Sequence, residues 1–156
     1  MRRINLMKYT AAIILMICLT SIVTAQVQEP AHWAYGIKKL AGNTYEVHLQ
    51  ATLDDGWHIY AQKQLPDAVA VPTKIVFAKT PGLTLMGKPA EVGKKYIYTI
   101  KEAGVTNYEY AGKVDFVQKI TVKPGLKEIK GTITYQTCTH EKCLNANTIN
   151  FSVPIP

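Results

Sequence analysis

Past residue 25 the chain has no apolar run of about eighteen residues, the length a membrane-spanning helix needs, so nothing there is expected to cross a bilayer as a helix. Cysteine is scarce. Of the three in the sequence, Cys18 lies in the first 25 residues, which leaves Cys138 and Cys143 as a pair with no odd thiol. Past residue 25, clustered arginines and stacked aromatics are missing too, and the lysines are scattered, which argues against a nucleic-acid surface. No helical periodicity of useful length follows the N-terminal stretch, and there is no internal repeat or low-complexity tract.

What the chain does have begins with an export signal. Arg2, Arg3 and Lys8 form a positive n-region, Ala11 to Val23 is apolar apart from Thr20 and Ser21, and Val23-Thr24-Ala25 offers a small-residue cleavage site. Residues 1–25 are therefore expected to be a signal peptide, too short to be a stable span. Ile17 before Cys18 is too large for a lipoprotein processing site. Cleavage leaves 131 residues, enough for one domain with its own core. The formal charge drops from +7 to +4, because three basic and no acidic residues depart. The product is expected to be soluble, and its compartment oxidising.

The remainder reads as strands. Tyr45, Val47, Leu49, Ala51 and Leu53 alternate with polar neighbours, and Asp54-Asp55-Gly56 then turns the chain into Trp57-His58-Ile59-Tyr60. Further strands are expected over Pro72 to Phe77, over Leu83 to Met86, and along Val114, Phe116, Ile120 and Val122. Glycine and proline punctuate them at roughly ten-residue spacing, the pattern of an all-β sandwich. Gly87 to Gly112, with four glycines and the tyrosines Tyr96, Tyr98, Tyr108 and Tyr110, fits less well. It is either an excursion that covers a site or an irregular strand pair.

Ile129, Gly131, Ile133 and Tyr135 before the cysteines, and Ile149, Phe151, Val153 and Ile155 after them, alternate at period two. A hairpin whose arms end near Cys138 and Cys143 would bring them within bridging distance. A staple closing so short a loop gains only about 2 kcal/mol, against nearly 5 for a loop of about 100 residues. His140 and Lys142 favour a thiolate, while Glu141 opposes it. Three uses stay open: thiol–disulfide exchange, a structural staple in a non-enzymatic binding module, or metal ligation by Cys138, His140 and Cys143 with His58. His32 and His48 read as structural or exposed.

Tyr135-Gln136-Thr137-Cys138, four residues, then Cys143-Leu144, behind a signal peptide, resembles the N-terminal periplasmic domain of the DsbD thiol:disulfide interchange family. Asp55-Gly56-Trp57-His58-Ile59-Tyr60-Ala61-Gln62 resembles the family's early Gly-aromatic-x-x-Tyr segment. The likeness covers most of residues 26–156. It implies an immunoglobulin-like β-sandwich in the periplasm that carries reductant outward, with a redox-active disulfide as its chemistry and neither cofactor nor metal. The implied partners are thioredoxin-like proteins or domains and a membrane thiol-transport protein. By the same resemblance Cys143 forms mixed disulfides and Cys138 resolves them. His58 and Tyr60 are implied near the pair, Tyr96 in a shielding cap, and Glu91 as a nearby acid, with His140 between the cysteines.

Two features depart from the family. Leu144-Asn145-Ala146 replaces an apolar residue and two prolines, and the sequence ends at Pro156 without a membrane or thioredoxin-like domain. A free-standing relay is expected. Without a Cys-x-x-Cys at a helix start to depress a thiol pKa, it would depend on its partner for speed.

Overall fold

The computed structural model describes residues 28–66 and 68–156, and every regular element among them is a strand. The expected signal peptide and Cys18 lie outside the described residues. The strands are β1 (Ala31–Lys39), β2 (Thr44–Leu53), β3 (His58–Tyr60), β4 (Lys74–Phe77), β5 (Leu83–Leu85), β6 (Ala90–Ile100), β7 (Val105–Val122), β8 (Glu128–Tyr135), β9 (Thr137–Cys138) and β10 (Asn147–Pro154). They form two antiparallel sheets. The larger has the order β1-β2-β7-β3-β9, with β5 and β6 also paired to β7; the smaller is β10-β8-β4. This is the all-β, immunoglobulin-like sandwich that the sequence and its resemblance imply.

Alternation builds the core. Tyr45, Val47, Leu49, Ala51 and Leu53 of β2 are all buried, and Val114, Phe116, Ile120 and Val122 of β7 join them. Ile129 and Ile133 of β8 and Phe151 and Val153 of β10 close the core from the other sheet. Gln118 also points inward. Its amide nitrogen donates to the carbonyls of Met86 and Lys119, while its amide oxygen is buried without a partner.

The hairpin expected around the cysteines forms, with Ile133 opposite Ile149 and Ile129 opposite Val153. The cysteines do not end its arms, however. After Tyr135 the chain leaves the smaller sheet and joins the larger one as β9, where Cys138 pairs with His58. Gln136 fastens the crossing: its amide donates to the Leu144 carbonyl and its side-chain oxygen accepts from the Val71 N–H.

Gly87 to Gly112 holds most of a long strand pair, β6 with the first part of β7. The register shifts between Gly93 and Lys95, opposite Ala111 to Lys113, where Gly112 takes φ +70°. An extra stretch of one strand opposite a shorter stretch of its neighbour is a bulge, and a left-handed φ there suits glycine. Here β7 also changes partner, since Lys113 is the last residue facing β2 and Ala111 the first facing β3. The first part of β7 thus turns Tyr110 into the core on one face and Glu109 toward His58 on the other.

Candidate functional site

The register of β3 fixes who meets the cysteines. Ile59 faces Tyr110, both in the core, so His58 and Tyr60 project from the opposite face of the sheet. Tyr60 lies opposite Glu109 and His58 opposite Cys138, and strand alternation puts Asn107 on that face as well. This outer face would ordinarily be wet. Instead His58, Asn107, Glu109 and Cys138 are all buried, because the turn Thr139–Cys143 folds back over them.

Cys138 and Cys143 form a disulfide with Cα atoms 4.0 Å apart. The two sulfurs live in different surroundings: Cys138 is fully buried, whereas Cys143 is exposed. Thr139 shapes the turn between them, its backbone N–H donating to the Lys142 carbonyl and its hydroxyl accepting from the N–H groups of Glu141 and Lys142. The Tyr60 hydroxyl lies 3.9 Å from Cys143 Sγ and 3.4 Å from His58 Nε2. Lys142 extends over the Trp57 ring, with Nζ 5.4 Å from its centre.

Beside the disulfide, Glu109 sits between two imidazoles. His58 Nε2 is 3.2 Å from Oε2, and His140 Nε2 is 3.3 Å from Oε1. Burial, and after it the neighbouring His140, pulls the His58 imidazole from 6.5 down to about 4. Burial pushes the Glu109 carboxyl up, and His140 offsets only part of that. The Tyr60 phenol is raised by burial and by Glu109. The Tyr98 ring stacks on His140, 4.1 Å between centres and 3° from parallel. Together they bound a cleft of about 220 Å³ that reaches Cys143.

A sequence profile for "Thiol:disulfide interchange protein DsbD, N-terminal" matches residues 25–154. The chain belongs to this family. A crystal structure of the N-terminal periplasmic domain of ScsB from Proteus mirabilis shares the fold, with a TM-score of 0.54 and 15% identity over 83% of this chain. The match takes in 49% of that chain, so the protein spans about half its length. The Neisseria meningitidis DsbD N-terminal domain in its reduced form gives a TM-score of 0.45 and 13% identity, over 86% of this chain and 94% of that one. No curated protein matches the chain. Membership of the DsbD N-terminal family, together with a disulfide between Cys138 and Cys143, supports thiol–disulfide exchange as the general chemistry.

Among the residues singled out from the sequence, His58, Tyr60 and His140 gather at the pair. Glu91 does not. Its carboxylate accepts from the Gln62 N–H at 2.6 Å and the Tyr110 hydroxyl at 2.9 Å, pairs with Lys95, and lines a separate cavity. The acid beside the pair is Glu109. Tyr96 is exposed beneath Lys94, and Tyr98, two residues along the same face of β6, takes the place against the cleft. Glu109 and Asn107 were not singled out from the sequence. Two polar side chains in alternation were the signal for them, but that pattern also describes any wet strand face.

Proposed function

We propose that the protein is an exported thiol–disulfide exchange module, relaying reducing equivalents in the periplasm from a thioredoxin-like donor to disulfide acceptors through Cys138 and Cys143. The observation that carries this reading is the unequal exposure of the two sulfurs. A structural staple has no use for one open sulfur, whereas an exchanging bond needs one to be attacked and one to leave.

The steps balance as follows. A donor thiolate attacks Cys143 Sγ, the disulfide breaks, and its electron pair leaves on Cys138, whose burial favours uptake of a proton. The donor's second thiol then attacks its own sulfur in the mixed disulfide and releases the Cys143 thiolate. The donor is now a disulfide, and the module holds two thiols once two protons have been taken up. Attack by Cys143 on an acceptor disulfide, followed by resolution from Cys138, reverses the sequence and reduces the acceptor. Tyr60 is placed to donate to the Cys143 sulfur. A hydrogen bond to a thiolate favours the charged form, so Tyr60 would steady it.

Single cysteine variants test the roles. With a thioredoxin-like partner, Cys138→Ser is expected to accumulate a mixed disulfide on Cys143, and Cys143→Ser to trap none, as read on non-reducing gels. Trapping by Cys143→Ser alone would overturn the assignment. Unchanged partner reduction by a Cys138→Ala/Cys143→Ala double variant would end the exchange reading.

A further inference from the structure

Glu109 is unusual because of what it lacks. Its side chain is 7% exposed, yet no lysine or arginine pairs with it among the described residues; its only close partners are His58 and His140. His58 Nε2 approaches Oε2, but Oε2 receives no aligned hydrogen bond. The amide oxygen of Asn107, two residues away on the same strand face and lining the cleft with His58 and His140, is also buried and without a partner. Burying a carboxylate is costly unless it is paired or bound to a metal. Glu109 Oε2 is therefore a buried carboxylate oxygen without a hydrogen-bond partner, which a cation beside it would satisfy.

We propose that His58, Glu109 and His140 form a binding site for one divalent zinc ion in the cleft beside the disulfide. One ligand atom from each residue lies within 4.8 Å of the other two. Zinc bonds of about 2.0–2.2 Å to nitrogen and oxygen place neighbouring ligand atoms of a tetrahedron roughly 3.3 Å apart. His58 Nε2 is 3.2 Å from Glu109 Oε2 and His140 Nε2 is 3.3 Å from Oε1, so each imidazole already stands at about that distance from one of the two carboxylate oxygens. Closing the site needs the two imidazoles to converge on one carboxylate oxygen, a rearrangement within the 4.8 Å that already encloses a ligand atom from each residue. Imidazole nitrogen with carboxylate oxygen is a borderline donor set that suits zinc, not calcium or magnesium, which prefer oxygen alone. His58 lies on β3 and Glu109 on β7, both inside the sheet, so two of the three ligands are held by paired backbone. His140, on the turn between the cysteines, is the exposed third. Zinc would therefore pin that turn, and its fourth position would open toward the cleft.

This site goes beyond the exchange reading and does not rest on it, because the protein can be titrated with its disulfide intact, when neither sulfur can ligate. Zinc titration of the oxidised protein against a chromophoric chelator is expected to show one ion bound per chain. His140→Ala, a substitution at an exposed position, should weaken binding at least tenfold, and so should Glu109→Gln. Substituting His48, which pairs instead with Asp115 and Glu46, should leave binding unchanged. Folding of each variant is checked by circular dichroism. If Glu109→Gln fails to fold, His140→Ala with cobalt(II) absorption of the oxidised wild type decides the matter. A tetrahedral cobalt spectrum lost in His140→Ala supports the site. No binding by the oxidised protein, binding that survives His140→Ala, or binding that disappears with His48→Ala would overturn it.

Discussion

Two carboxylates, Glu91 and Glu109, are enclosed by neighbouring strands and meet opposite fates. Burial alone would raise Glu91, but hydrogen bonds from the Gln62 N–H, the Tyr110 hydroxyl and Lys95 outweigh it and hold the carboxyl below its usual range. A depressed folded pKa means that the unfolded chain binds more protons on acidification. The stability Glu91 contributes is thus fully present above about pH 4.5 and lost as pH falls through its folded value. Glu91→Ala leaves the Gln62 N–H and the Tyr110 hydroxyl without their acceptor, and is expected to cost on the order of 2–3 kcal/mol at pH 7. Urea denaturation of both proteins should show the gap narrowing toward pH 3. The reduction potential should not move, because Glu91 serves the segment after β3 and not the sulfurs. A shifted potential would return it to the site.

At the scale of elements, β8 depends on the absence of a side chain at Gly131. It sits centrally between β4 and β10, opposite both Phe77 and Phe151, whose rings meet edge to face with centres 5.3 Å apart. A Cβ there would collide with the Val76 carbonyl and the Phe151 ring. Backbone cannot move aside as a flexible side chain can, so Gly131→Ala is expected to destabilise the fold by about 1–3 kcal/mol. Thermal denaturation checks this; an unchanged midpoint would mean the two sheets are freer to separate than their packing implies.

The legibility of the elements in the sequence follows the same lines. β2 could be read residue by residue, because one of its faces packs on the core and the other on little. The β8–β10 pairing was equally plain from two alternating runs. β1 was not read from the sequence: it is an edge strand whose Trp33 and Ile37 are only partly buried, so its alternation is faint. Glu109 and Tyr98 stayed hidden for a different reason. Their neighbours depend on the register of β7 against β3 and β6, set past a bulge at Gly112, and no local pattern encodes a register across fifty residues. Tyr96 and Tyr98 lie on the same face of one strand, so alternation alone does not choose between them.

For the whole molecule, the core and the disulfide are separable. The buried cluster draws on both sheets, and neither cysteine belongs to it. Cys138 and Cys143 close a loop of sequence separation five, so the bond adds only about 2 kcal/mol through chain entropy. The reduced protein is expected to stay folded, with a melting midpoint lower by about 10 °C or less. Its reduction potential is expected between roughly −180 and −270 mV, where exchange proteins lie. Thiol-redox titration with gel-shift alkylation measures the potential, and circular dichroism of the reduced form measures the fold. A potential below about −300 mV, or unfolding on reduction, would mark the bond as a staple.

Because Cys143 faces solvent and Cys138 faces the sheet, the disulfide has a front and a back. Any thiol that approaches, whether on a protein or a small molecule, meets the same sulfur, beside a cleft that the Tyr98 ring helps to line. The module therefore sets the regiochemistry of its encounters before its partner does. In the proposed relay, a donor and an acceptor that both react at Cys143 would have to take turns at it.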